Sequence, residues 1–232
     1  MKNKKSSLLL FLAVLTLQFN IVKAQTKIGI KAGMNLSNVI MKDNDGHQMA
    51  TQSIPGFHVG ANVEILVADD FYLQPGVLYS TKGFKQQNGF AYSTNFRATA
   101  SYVEVPVNLL YKPKLAVGHL ILGAGPYIAY GTGGTWRSDT NIQIGDVVGT
   151  NVGKIIFRKD LSDGEYEAYL YGKPLDYGIN FLVGYEFFNQ LSIQFNAQTG
   201  LANLEPQYGG VKQGGKLKNT GFGISIGYKL DY

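Results

Sequence analysis

Eight segments of this chain place an apolar side chain at every second position, and that period leaves little choice of fold. A repeat of two is the signature of a β-strand, whose successive side chains point to opposite faces. The last segment, NTGFGISIGYKLDY, sets Phe222, Ile224, Ile226, Tyr228, Leu230 and Tyr232 on one face. The first, KIGIKAGMNL, opposes Ile28, Ile30, Ala32, Met34 and Leu36 to Lys27, Lys31 and Asn35. GFHVGANVEIL opposes Phe57, Val59, Ala61, Val63 and Ile65 to His58, Asn62 and Glu64, and FYLQPGVLYS, SYVEVPVNLLYK, HLILGAGPYIAY, LDYGINFLVGYEF and LSIQFNAQTGL complete the set. Strands of about ten residues are expected. No amphipathic helical window exceeds about two turns, and the 29 Gly, 15 Tyr and 13 Phe suit strands and turns. The chain reads as all-β.

The connections alternate in length. VADD (67–70), PKLAVG (113–118) and FNQ (188–190) are short, whereas the links after the first, third, fifth and seventh strands are long, the third running from about Gly131 to Lys173. Short turns at one rim and long loops at the other, with an even strand number, predict an eight-stranded antiparallel up-and-down transmembrane β-barrel. A tilted membrane strand needs about 9–11 residues, which matches.

A soluble, lipocalin-like barrel also has eight strands but turns its apolar face inward. Against it, the less apolar face here is crowded with Gly29, Gly33, Gly60, Gly184, Asn108, Asn180, Gln194 and Asn196, groups that suit a narrow polar lumen better than a water-facing wall. The apolar face also ends in aromatic residues at both rims: Phe71, Tyr111, Tyr185, Phe187, Tyr228 and Tyr232 beside the short turns, and Phe57, Tyr79, Tyr130, Tyr177 and Phe222 beside the long loops. Such girdles mark bilayer interfaces.

The N-terminus predicts export. Lys2, Lys4 and Lys5 precede an apolar run from Leu8 to Leu17, and Val22-Lys23-Ala24 supplies a cleavage pattern before Gln25, so residues 1–24 read as a signal peptide and 25–232 as one barrel domain. The run is shorter than a spanning helix requires. Of 21 basic and 16 acidic side chains, four lysines and no acid lie in that leader, which leaves one more base than acids. The balance gives no ground for nucleic-acid binding. There is no Cys, so disulfides play no part in holding the exported chain together.

The opening KIGIKAGMNLSNV, the strand YLQPGVLYSTKG and above all YVEVPVNLLYK resemble the PorT-type outer-membrane β-barrel family of Bacteroidetes, often labelled "porin family". The resemblance covers nearly all of the chain after the leader. It implies residence in the outer membrane, and PorT itself implies a link to type IX secretion. Tyr228, Leu230 and Tyr232 occupy the positions of the C-terminal signal by which the barrel-assembly machinery recognises outer-membrane barrels.

An eight-stranded barrel is just wide enough for its side chains to fill it. Lys31, Glu64, Glu104, Glu186 and Lys229 are expected to form a hydrogen-bonded, partly ion-paired lumen with at most a narrow water path. His47 or His58 with Ser53 and Asp43 or Asp45 is the one conceivable catalytic grouping, without a recognisable motif, so no catalytic residue and no cofactor is assigned. KDNDG (42–46) and KDLSDGE (159–165) are acidic turns that lack the full spacing of a calcium loop, and no metal is assigned. The long third loop holds Trp136, Phe157, Tyr166 and Tyr169, more apolar surface than a free loop should show. It is expected to continue the fifth and sixth strands as a hairpin whose aromatics either contact a surface protein partner or lipopolysaccharide, or pack against the other loops. The functional expectation is an integral outer-membrane protein with a structural or loop-borne binding role; a small-solute channel and a type IX accessory are the alternatives.

Overall fold

The computed structural model describes residues 26–88, 94–144, 147–160, 168–212 and 214–230. The expected leader, Tyr166 and Tyr232 lie outside them. Eight strands build the wall: β1 (Thr26–Lys42), β2 (Ile54–Ala68), β3 (Phe71–Asn88), β4 (Thr94–Tyr111), β5 (Gly118–Ile144), β6 (Leu175–Glu186), β7 (Leu191–Gly200) and β8 (Lys216–Leu230). Each pairs antiparallel with its neighbours in the chain, and β8 pairs with β1 from Ile28 opposite Leu230 to Lys42 opposite Lys216. Closure leaves no open edge in the wall, as a sheet in lipid requires.

The strands are not uniformly about ten residues long. β3 and β4 have 18 and β5 has 27, because they rise well beyond the level where their outward apolar residues stop. β4 shows why. Its lower outward positions are Val103, Val105, Leu109 and Tyr111, all exposed, while Glu104 and Asn108 point inward and are buried. Above Val103 the assignment reverses: Phe96, Ala98, Ala100 and Tyr102 are fully buried inside, and Asn95, Arg97, Thr99 and Ser101 alternate with them outside.

The same reversal occurs on β1, where outward Leu36 gives way to Asn38 while Val39 and Met41 pack inside, and on β8, where outward Phe222 gives way to Thr220, Lys218 and Lys216 with Leu217 inside. On β5 outward Tyr130 is followed by Thr132 and Arg137, with Trp136 inside. These switch points share one level, since Leu36 lies opposite Phe222, Tyr79 opposite Val103 and Val103 opposite Tyr130. A wall in lipid must be apolar outside, and a wall in water must be apolar inside. The level is therefore the hydrocarbon boundary, with exposed Phe57, Tyr79, Tyr130, Tyr177 and Phe222 around it. At the other rim Phe71 stacks on Tyr111 at 4.9 Å and Tyr185 meets Phe187 edge-on at 5.1 Å.

The upper storey closes differently from the lower one. The long third loop does continue β5 as a hairpin, but its second arm is Val147–Phe157 and not an extension of β6, and that arm pairs in parallel with Ala168–Gly172. Lys173 N then donates to Leu204 O, and Leu204 N to Leu217 O, both at 2.8 Å, which returns the wall to β8. The extra strands contribute Ile155 and Tyr171 to the buried cluster that also holds Trp136 of β5.

Candidate functional site

Two groups of charges fill the lower lumen at different heights. Next to the short turns, Glu64 of β2, Glu186 of β6, Lys229 of β8 and Lys112, which directly follows β4, form a closed quartet. Lys112 Nζ lies 2.9 Å from Glu64 Oε2 and also binds Glu186, while Lys229 Nζ lies 2.5 Å from Glu64 and 2.6 Å from Glu186. Two carboxylates alternate with two ammonium groups, so the formal charges cancel, and Gln74 Nε2 donates to the free Glu64 Oε1 at 3.1 Å. The Tyr72 ring stands 5.1 Å from Lys112 Nζ and packs against a buried apolar cluster of Leu110, Ile121 and Leu182.

Higher up, Glu104 of β4 pairs with Lys82 of β3 at 2.8 Å, and Gln198 joins the pair by donating to Glu104 Oε1 at 2.7 Å and accepting from Lys82. Lys82 also stands 4.6 Å from the Tyr127 ring centroid. Lys31 donates instead to two amide oxygens, Gln194 Oε1 at 3.0 Å and Asn196 Oδ1 at 3.2 Å. The five charged residues singled out in the sequence thus all point into the lumen but form no single cluster. Glu64, Glu186 and Lys229 meet, while Glu104 and Lys31 belong to the higher level. Lys82 and Lys112, absent from the sequence reading, supply the missing cations.

His58 is not at a rim beside Ser53 but inside, between Asn35 and Ser225. Asn35 Nδ2 donates to Thr81 O, which turns Oδ1 toward His58 Nδ1 at 2.6 Å; that nitrogen carries the proton, and Nε2 accepts from Ser225 Oγ at 2.8 Å. The order Ser–His–Asn has the connectivity of a nucleophile, a base and an orienting group. Its surroundings do not suit acyl chemistry. Ser225 is 1% exposed, its Oγ also accepts from Asn196 Nδ2 at 2.8 Å, and the adjoining cavity is about 80 Å³. The His58 ring lies over Gly33, where a Cβ would come within 2.6 Å of its Cε1.

This wall, apolar outward and lined inside with charge and amide, is that of a membrane barrel, and the family described as outer membrane protein beta-barrel domain matches residues 23–205. The chain belongs to this family. In the outer membrane the short turns of this barrel face the periplasm and the long loops face outward. Solved structures similar to the barrel include OprG from Pseudomonas aeruginosa, at 12% identity over 90% of this chain and 97% of that one with a TM-score of 0.49. Ail, the attachment invasion locus protein of Yersinia pestis, in complex with the heparin analogue sucrose octasulfate, is 12% identical over 89% of this chain and 99% of its own, with a TM-score of 0.41. Neisserial surface protein A is 11% identical over 89% and 99%, with a TM-score of 0.42. No curated protein matches the chain.

The outer end of the outer-membrane barrel is closed by aromatic packing. Phe96 stacks on Trp136 at 5.9 Å, and Phe157 lies 5.3 Å from Tyr102 and 5.6 Å from Tyr171. Trp136 is 2% exposed, and Phe157 packs partly buried against the same core; both belong to the interior that the polarity reversal creates. Tyr169 sits opposite Ile155 in the parallel pairing. Beneath this core Asp176 accepts from Tyr127 Oη at 3.2 Å and from Asn219 Nδ2 at 2.9 Å, and Asn219 Oδ1 accepts from Tyr171 Oη at 2.9 Å. Of the assembly-signal residues, Tyr228 faces lipid and Leu230 ends β8 opposite Ile28.

Of the two acidic turns, 42–46 is described whole, whereas residues 161–165 of the second lie outside the described residues. Asp43 Oδ1 accepts from Asp45 N at 3.0 Å and His47 N at 2.8 Å, and Asp43, Asp45 and His47 bring their side-chain oxygen and nitrogen atoms within 4.8 Å of one another. Asp160 accepts from Gly209 N and Gly210 N, the two residues of positive φ at the tip of a small hairpin that joins Gln207–Tyr208 to Val211–Lys212.

Proposed function

We propose that this outer-membrane barrel is a non-enzymatic protein whose role, structural or binding, is borne by its outer wall and loops and not by passage through its lumen. The observation that carries this reading is the double seal: the Glu64–Lys112–Glu186–Lys229 quartet at the periplasmic end and the aromatic core at the outer end. Eight strands leave an interior that side chains fill, whereas aqueous porins use 16–18 strands. The buried Ser225 supports the absence of catalysis in the same way, since a nucleophile without substrate access has no reaction to perform. In this reading the partners are outer-membrane lipids and lipopolysaccharide, the barrel-assembly machinery during biogenesis, and a surface protein at the loops. Planar-bilayer recording tests the proposal: the reconstituted protein is expected to show no steady open level, and a stable conductance would overturn it in favour of a small-solute channel.

The YVEVPVNLLYK likeness supports a finer reading, membership of the PorT-type group with an accessory role in type IX secretion. Its test is a deletion strain of the source bacterium. Unimpaired release of type IX cargo removes that reading and leaves the closed barrel in place.

A further inference from the structure

The outward wall of the upper storey carries positive charge at one level. Six residues above the hydrocarbon boundary, Leu36 leads to Lys42 on β1, Tyr79 to Lys85 on β3, Val103 to Arg97 on β4 and Phe222 to Lys216 on β8. On β5 the step from Tyr130 to Arg137 is one residue longer, and the register shift between Ser101 and Tyr102 absorbs it. The register sets these residues directly against one another: Lys42 opposite Lys216, Lys85 opposite Arg97, and Arg97 opposite Arg137.

Like charges in direct cross-strand opposition destabilise a sheet. Threonine or serine would serve a water-facing wall equally well, yet the repulsion is repeated in three pairs. Among the described residues no carboxylate forms an ion pair with any of the five. Arg97 donates to Pro55 O at 3.4 Å, and Asp139, two positions above Arg137, is held by Asn95 Nδ2 at 2.6 Å. Among the described residues these charges are left unneutralised and open to an external anion.

Height selects its source. Six residues of a strand rising about 3.3 Å each and tilted by about 40° lie roughly 15 Å above the boundary. Phospholipid headgroups extend only about 5–8 Å beyond the hydrocarbon. An anion at the level of the five residues must be carried on a longer head, and the outer leaflet of an outer membrane supplies one in the phosphorylated saccharide of lipopolysaccharide. We propose that Lys42, Lys85, Arg97, Arg137 and Lys216 bind the saccharide phosphates of the surrounding lipopolysaccharide, a phosphate shared between opposed side chains replacing repulsion by charge-assisted hydrogen bonds. This inference deepens the outer-wall role proposed above and rests on it.

The test is titration of the detergent-folded protein with lipopolysaccharide, the same material dephosphorylated, and phosphatidylglycerol, with retained lipid read by native mass spectrometry. Wild type is expected to retain phosphorylated lipopolysaccharide in preference to both others and to release it as salt rises. K42Q/K85Q/R97Q/R137Q/K216Q is expected to bind at least about tenfold more weakly, while K212Q, on the small hairpin, binds as wild type. Heat-shifted gel mobility reports that each variant is folded; if the fivefold variant is not, the exposed-site variant R137Q is read instead and is expected to lose about threefold. Unchanged retention in the folded variants, or equal retention of phosphatidylglycerol or dephosphorylated material, overturns the proposal. Bilayer conductance is read separately, so failure here is distinguishable from failure of the closed-lumen reading.

Discussion

Leu36 of β1 lies directly opposite Phe222 of β8, and above this pair the outward positions turn polar at Asn38, Lys42, Thr220, Lys218 and Lys216, with Ile40 of β1 the exception. A boundary written into the strands predicts a matching difference in tolerance. Val107→Lys, near the middle of the lipid-facing stretch of β4, is expected to cost about 2–4 kcal/mol, as a lysine at the bilayer midplane does. Thr99→Lys, outward on the same strand but above the boundary, is expected to stay within about 0.5 kcal/mol of wild type. Urea unfolding in phospholipid vesicles measures both, and equal costs would remove the two-storey description.

The quartet gives a charge-balance prediction. Lys112→Met leaves Glu64 and Glu186 facing Lys229 alone in a buried site, and the expected loss is about 3–5 kcal/mol. Adding Glu186→Gln restores neutrality and should recover at least about 1 kcal/mol, a coupling that a double-mutant cycle resolves. Additive losses would mean that the four side chains act independently.

Gly131 lies beneath the Phe157 ring, where an added Cβ would approach three ring carbons at 2.4–2.5 Å. Gly131→Ala should therefore push Phe157 off Tyr102 and Tyr171 at a cost of about 1–3 kcal/mol. Phe157→Leu in the same chain makes room and should return part of it. Near-ultraviolet circular dichroism, which senses the packed aromatics, is the check.

The turn at Asp43 carries a pH dependence. The His47 backbone N–H donated to its carboxylate holds Asp43 below its ordinary value. Because the folded value is the lower one, the ordering contribution is present above the usual aspartate range and is lost as pH falls through the folded value. Amide exchange at Asp45 and His47, corrected for its intrinsic pH dependence, is expected to accelerate below about pH 4. In Asp43→Ala it should already be fast at neutral pH.

The lipid-facing half of the fold was legible because alternation of polarity is a strong signal wherever one face meets lipid: all eight strands are present, and Tyr79 and Tyr130 mark the boundary as rim residues should. The upper half was not, for a reason visible at Tyr102 and Val103. The period of two continues through them, but the apolar set moves to the other face, so a reading that follows one apolar face stops there and assigns Phe96, Ala98 and Ala100 to a loop. Lys82 lies past the same stopping point, beyond the segment FYLQPGVLYS, whereas Lys112 closes the segment SYVEVPVNLLYK on the Glu104 face and was legible there by its parity. Trp136 and Phe157 were candidates for recognition because their apolar character was plain in the sequence and their interior was not.

The quartet also bears on the closing of the barrel. Its members come from β2, the end of β4, β6 and β8, so without the last strand Glu64, Lys112 and Glu186 together carry one unbalanced negative charge. Lys229, close to the end of the chain, cancels it only when β8 has docked in register on β1 with Lys229 opposite Gly29. Sealing the seam and neutralising the interior are thus one event. A β8 shifted by a single residue would turn that lysine toward lipid and leave the debt of charge inside.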